Sequence, residues 1–304
     1  MIERTPIFNF FTQCALLCGL IVALLPFAIV LIAASHDLHT VNQVPMPLIP
    51  GSHLLENLQA AWHEANLGTA LINSLIFASG VALAKIFFAS ITAFSIVFFR
   101  YRGRMVVFWL IFVTLMLPLE VRIVPTYAVA ANAFGPITAV LDMLGINWLL
   151  QQLAGIDIRL QWNLLNSHTG LILPLIATAT GTFLYRQFFM TVPDELVEAS
   201  RMDGSGPIRF FFDVLLPLSR TTMIALSTII FVSTWNQYLW PLLVTTEAEY
   251  ATATIQLRSL IPESAGLPNW NVAMAGTLII MAPPLAVMII AQRWFVRGLI
   301  STEK

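Results

Sequence analysis

Lys85 is the first residue in this chain whose chemistry needs a reason. Across positions 71–99 every other side chain is uncharged. An ammonium group at the centre of an apolar helix costs about 2.5–3.5 kcal/mol on insertion scales. It must face a cavity, meet a carboxylate, or snorkel to a membrane surface. In a cavity it would favour an anionic solute; beside a carboxylate it would be a structural ion pair. Glu120 and Arg122 raise a similar question. Two residues apart, they would point in different directions on a helix, and they read as the broken end of an apolar stretch, lining its outer mouth. A guanidinium matches a phosphate through two parallel hydrogen bonds, and a contact to another protein is the competing use of Arg122. Asn236 and Gln237, flanked by Trp235 and Trp240, complete the polar set at membrane depth. Their amides can hydrogen-bond across helices for about 0.6–2 kcal/mol or meet polyol hydroxyls, while the indoles can stack on a solute or gate it.

A second constellation lies between Pro193 and Pro217. Pro193 suits a first helical position, and Asp194, Glu195 and Glu198 put negative charge near the positive end of the helix dipole. Gly204 supplies a left-handed stop, and Gly206-Pro207 makes a turn behind it. So well marked a helix in a water-facing loop suits display to a partner; a solvated connector is the plainer reading.

The elements that must position these residues are membrane spans. Hydrophobic residues make up 58% of the 304 and charged ones 10%, against about 25% charged in a soluble domain. That is too little charge to coat a soluble surface, so the chain is a polytopic membrane protein. Spans are expected at about 11–34, 71–99, 106–128, 170–185, 222–244 and 272–292. Pro26 and Pro283-Pro284 are tolerated kinks, and the small residues from Ala177 to Thr182 suit close helix contact. The first apolar run exceeds a signal-peptide core and has no A-x-A site behind it. A short surface helix is expected over His53 to Ala65, and two more in the 132–168 connector, around Val140 to Leu144 and Trp148 to Leu153.

Several chemistries are excluded. Lys85 and Lys304 are the only lysines, and neither sits in a G-x-x-x-x-G-K loop. Cys14 and Cys18, one helical turn apart in the first span, read as packing rather than as a metal or redox pair. His36, His39, His53, His63 and His168 fall outside the spans without ligand spacing and read as loop residues. An intramembrane enzyme would need a clustered nucleophile and base, or carboxylates with a metal, at membrane depth. The spans hold no histidine and almost no carboxylate, so no catalytic residue and no metal site are expected.

Charge asymmetry orients the bundle. On the side of the termini lie Arg4, Arg100, Arg102, Arg104, Arg186, Arg201, Arg209, Arg220, Arg293, Arg297 and Lys304; on the other lie Arg122, Arg159 and Arg258. Lysine and arginine accumulate in cytoplasmic loops, which puts both termini and the 193–217 loop in the cytoplasm.

The residues at this point carry a family likeness. Glu198-Ala199-Ser200, then Gly204, then Val214-x-Leu216-Pro217 resembles the EAA loop of binding-protein-dependent ABC importer permeases, with Ser200 where the second alanine usually stands. Trp235-Asn236-Gln237-Tyr238-Leu239-Trp240-Pro241-Leu242-Leu243 is similar to a run common in the carbohydrate-uptake members, and Gln292 to Leu299 resembles their C-terminal signature. The N-terminal part, the Met116 to Arg122 run and the ending Ser301 to Lys304 look most like one subtype, the second permease subunit of sn-glycerol-3-phosphate importers. The 133–168 connector looks longer than that subtype's.

The resemblance implies an all-α integral membrane fold: six transmembrane helices in one bundle and one domain, 1–304, with a cytoplasmic coupling helix. Glu195, Glu198, Ala199, Ser200, Asp203, Gly204 and Pro217 would dock that helix on an ATPase subunit. Lys85, Glu120, Arg122, Asn236, Gln237 and Trp240 are the pathway candidates. Implied partners are a homologous permease (a heterodimer), two copies of a cytoplasmic ATPase, a periplasmic substrate-binding protein and membrane lipid, with no nucleic acid. ATP and Mg would be bound by the ATPases and no cofactor by this chain. The implied function is ATP-driven import of sn-glycerol 3-phosphate through the bacterial inner membrane. The same architecture carrying a neutral sugar or oligosaccharide is the alternative, and an intramembrane enzyme the distant one.

Overall fold

Hydrocarbon offers no hydrogen bonds, so a chain this apolar must pair its amides within its own segments. The computed structural model describes residues 6–114, 119–155, 160–177, 179–261 and 267–301, and these are helical without any strand. Three helices are individually long and apolar enough to cross a membrane: Phe8–Ala34, Leu67–Phe98 and Trp270–Trp294. They match three of the expected spans, and the last runs on through Pro283-Pro284 to Ser301.

Of the other expected spans, 170–185 and 222–244 are broken within the described residues. The 106–128 stretch becomes Arg104–Val113 and Leu119–Ala131, with 115–118 outside the described residues. Val121–Ala131 then bends by 91° into Gly135–Met143. The 170–185 stretch is His168–Ile172, a tight turn at Leu173–Leu175 and then Ala179–Phe189, because Pro174 withdraws an amide where the helix would continue. The 222–244 stretch is Arg220–Trp235 and Leu239–Val244, parted at Asn236 to Tyr238.

Internal contacts divide the chain into two compact units, 1–69 with 255–283, and 70–254 with 284–304. In the first, the helix Pro6–Ala34 turns Leu17, Ile21 and Leu25 outward, a face suited to lipid. Cys18 lies on the exposed surface and Cys14 is half-buried, so the pair does not pack inside this unit as expected. The expected surface helix is present as Leu54–Glu64, but its anchor is polar. Buried Asn57 donates to the carbonyls of Ala34 and His36, each at 2.8 Å, and accepts from Asn271 at 2.8 Å. Leu55 and Trp62 are exposed instead.

The second unit is built on Leu67–Phe98. Its Phe77, Val81, Ile86 and Phe94 are buried with Tyr185, Phe211, Leu226 and Trp235, while Leu83 and Phe87 face outward. Ala179, Gly181 and Thr182 are buried in the close contacts that their size allows.

Asn73, also buried, donates to the carbonyls of Glu249 (2.7 Å) and Ala251 (3.1 Å). Its amide oxygen is then the acceptor for His168 Nε2 at 3.0 Å, which fixes the imidazole tautomer, and the ring meets Tyr250 edge-on. His168 is therefore a structural residue and not a simple loop histidine. Ser74 Oγ accepts from the Ala253 amide at 2.8 Å. An unpaired buried polar group costs about 1–3 kcal/mol, and Asn73→Leu strands three. It is expected to lower unfolding stability in detergent by about 3 kcal/mol, against about 1 kcal/mol for Ser74→Ala. Equal thermal midpoints for the two variants would refute this latch.

Candidate functional site

Where Leu67–Phe98 passes the breaks at Pro174 and Gln237, a cavity of about 180 Å³ opens, lined by Lys85, Arg122, Thr126, Leu175 and Gln237 among others. Three of the residues singled out from sequence meet here. Broken backbone at membrane depth is tolerated where it lines a cavity, and here the breaks at Pro174 and Gln237 coincide with the cations. Lys85 and Arg122 line the same small cavity, where like charges repel. Among the described residues neither has an ion-pair partner; the side chain of Glu120, one helical residue into Leu119–Ala131, lies outside them.

Gln237 is fixed at its backbone, whose amide donates to Thr234 O at 3.1 Å and whose carbonyl accepts from Thr254 Oγ1 at 3.0 Å. Its side-chain Oε1 is buried with no partner. The cavity thus offers two cationic donors and one unfilled acceptor, which suits a ligand with an anionic end and a hydroxyl. A second cavity of about 440 Å³ shares Arg122 and Ala177 with the first and is lined further by Thr92, Thr114 and Thr182. The two adjoin along this wall.

The remaining pathway candidates are not on these walls. Asn236 is exposed at the end of Arg220–Trp235. Trp240 is fully buried, and its indole N–H donates to Leu171 O at 3.1 Å.

The loop helix is Asp194–Met202, with Pro193 as the cap before it rather than its first residue, because its ψ of 141° is extended. Gly204 has φ of 72°, the left-handed stop expected. The amides of Gly204 and Ser205 close the helix end on Arg201 O and Ser200 O, each at 3.0 Å. Glu195, Glu198, Ala199, Asp203, Gly204 and Pro217 are exposed, and Ser200 is buried. Behind the helix, Pro207–Phe210 and the widened turn Phe211–Leu215 that follows it carry the aromatic anchors. Phe211 meets Phe94 at 5.0 Å and Phe210 meets Phe98 at 5.5 Å. Arg209–Asp213, at 3.2 Å, is largely exposed and contributes little. Side chains 295–300 of the C-terminal signature lie outside the described residues.

Sequence reasoning missed two asparagines that organise the 132–168 connector. Asn132 Oδ1 accepts from the amides of Phe134 (3.2 Å) and Trp162 (3.1 Å), and its amide donates to Leu160 O at 3.3 Å. Backbone bonds from Ala133 to Trp162 O and from Leu164 to Ala130 O, both 2.9 Å, close the same neck. Beyond it are the two helices expected from the sequence, Gly135–Met143 and Ile146–Ala154. Asn166, at φ of 51°, accepts from the amides of Thr246 (2.7 Å) and Glu247 (3.2 Å). The only signal for either was an asparagine beside a Gly- or Ser-containing turn.

Comparison with known proteins supplies an independent line. The sequence profile described as "Binding-protein-dependent transport system inner membrane component" matches residues 85–301. The chain is 44% identical over 310 residues, and over the whole of both proteins, to the sn-glycerol-3-phosphate transport system permease protein UgpE of Yersinia enterocolitica serotype O:8 / biotype 1B. The protein of that name from Escherichia coli O157:H7 is 42% identical with the same coverage. A crystal structure of a bacterial ABC transporter involved in the import of the acidic polysaccharide alginate contains a similar chain. It has a TM-score of 0.73 at 18% identity, covering 97% of this chain and 99% of that one, a likeness of fold.

Proposed function

The chain belongs to the binding-protein-dependent transport system inner membrane component family, and from that premise we propose that it moves sn-glycerol 3-phosphate from periplasm to cytoplasm. It is a multi-pass inner-membrane permease subunit of an ABC importer and not an enzyme. A partner permease, an ATPase and a substrate-binding protein go with that family. In our reading they are a homologous permease in a heterodimer, two ATPase copies that bind ATP and Mg, and a periplasmic binding protein. The chain acts as one transmembrane domain with both termini in the cytoplasm.

The observation that carries the cargo is the cavity in which Lys85 and Arg122 lie together without a carboxylate among the described residues. A phosphate monoester answers both cations, and a glycerol hydroxyl can donate to the free Oε1 of Gln237. A neutral sugar would bring no charge to answer two cations that have no carboxylate partner among the described residues. In a reconstituted importer, glycerol 3-phosphate should compete for uptake and maltose should not; the reverse result would exchange the cargo for a neutral one.

Asp194–Met202 is, in the same reading, the coupling helix, with its exposed carboxylates offered to a basic socket. Its motion would pass through Phe210 and Phe211 to Phe94 and Phe98. Phe94 and Lys85 share one rigid helix, nine residues and so about 14 Å apart. A push on the loop is thereby delivered to the cation cavity, as expected of rigid elements rocking about a central site. Gly204→Val forces a branched side chain into a left-handed backbone, at about 1–2 kcal/mol, and tilts the helix end. Uptake is expected to fall about tenfold while substrate-stimulated ATP hydrolysis no longer tracks it. Normal coupling in this variant would remove the helix from the mechanism.

A further inference from the structure

A separate cavity of about 260 Å³ lies behind the loop helix, between it and the end of Leu67–Phe98. Phe98, Phe210 and Val197 form its apolar side; Arg100, Arg201 and Ser200 form its polar side. Ser200 is 8% exposed, and its Oγ is buried without a hydrogen-bond partner. Neither arginine has an ion-pair partner among the described residues. Buried polar groups are nearly always paired, so the Ser200 hydroxyl calls for an acceptor, and the two exposed arginines beside it make an anionic one the best match.

We propose that this cavity is a binding site for a phosphate group, distinct from the cation cavity at Lys85. Two guanidiniums from different elements would grip the phosphate oxygens with charge-assisted bonds, and Ser200 would donate a third. The aromatic side suits an apolar continuation of the ligand. Arg100 opens the basic run that follows an apolar span, the depth at which basic pockets meet lipid headgroups. The phosphate comes either from an anionic phospholipid or from solution. In both cases it ties the end of Leu67–Phe98 to Asp194–Met202 and sets the angle of the loop helix. Binding stands on the cavity alone; only an effect on transport rests on the coupling role proposed above.

The test uses the full chain in nanodiscs of phosphatidylcholine, with and without phosphatidylglycerol. Native mass spectrometry reads retained phosphatidylglycerol, and radiolabelled orthophosphate is titrated into the phosphatidylcholine discs. One phosphate group per chain is expected, weakened at least about tenfold in the R100Q/R201Q double variant and more mildly in S200A. Arg209→Gln, on the exposed ion pair nearby, should leave it unchanged. Retention of phosphatidylglycerol without orthophosphate binding identifies a lipid headgroup; orthophosphate binding identifies a soluble source. Failure of both ligands to bind, or equal binding by wild type, R100Q/R201Q and S200A, overturns the proposal. Should the double variant not fold, S200A, which removes one oxygen only, still decides it.

Discussion

Replacing Lys85 by Met is expected to cut uptake of sn-glycerol 3-phosphate about ten- to a hundredfold, the cost of one charge-assisted hydrogen bond at about 1.5–3 kcal/mol. Arg122→Gln should act in the same range, chiefly by raising the apparent half-saturation constant. Because the two groups hold the same charge in one cavity, removing either also relieves repulsion. Thermal stability of the purified Lys85→Met chain should therefore be equal to or above that of the wild type. Loss of transport without loss of stability separates a ligand-facing lysine from a structural ion pair, whose removal would destabilise. Uptake at the wild-type rate and affinity in either variant would end the pathway role of that residue. Lys85→Arg, which keeps the charge on a bulkier fork, should restore part of the rate.

Gly170→Ala should be strongly destabilising for the addition of a single methyl. A Cβ at this position would overlap the Leu164 carbonyl oxygen and lie 2.8 Å from its carbon. Leu164 is not free to yield. Its amide donates to Ala130 O at 2.9 Å, its carbonyl accepts from Ser167 Oγ at 2.6 Å, and its side chain is buried. The variant must shift a fixed backbone, at about 3 kcal/mol, the upper end of ordinary overpacking. Gly19→Ala is the control, since nothing lies within 4 Å of the new methyl, and helix propensity favours alanine there. Thermal unfolding in detergent should separate the two clearly. Matching midpoints would mean that Gly170 is not held against Leu164.

Much of the site could be read from the sequence because charge in hydrocarbon is improbable enough to stand out. Lys85 and Arg122 were conspicuous for that reason and Gln237 as an amide among tryptophans, and the three share one cavity. The loop helix was legible through punctuation: Pro193, the acidic first turn and Gly204 each constrain the backbone locally. The asparagine and histidine ties were not legible. Asn73 bonds to carbonyls of Glu249 and Ala251, and a backbone acceptor far along the chain leaves no mark on residue type. Trp240 misled in the opposite sense. Its motif suggests a gate, yet its N–H is occupied by Leu171 O. Hydropathy also ran smoothly over Pro174, since an average over a window does not see a broken turn, whereas the polar Trp235-Asn236-Gln237 marked the interruption of the 222–244 span. Those breaks are nevertheless where the cavity opens.

The closed neck at Asn132 has a practical side. Helices Gly135–Met143 and Ile146–Ala154 meet at Gly145, which has φ of 71° and open space around it. Since the feet of this loop are already joined below, a peptide tag grafted at Gly145 would hang free of the rest of the fold. Exposed to protease on intact spheroplasts, such a tag turns the sidedness of the whole polypeptide into a visible band on a gel.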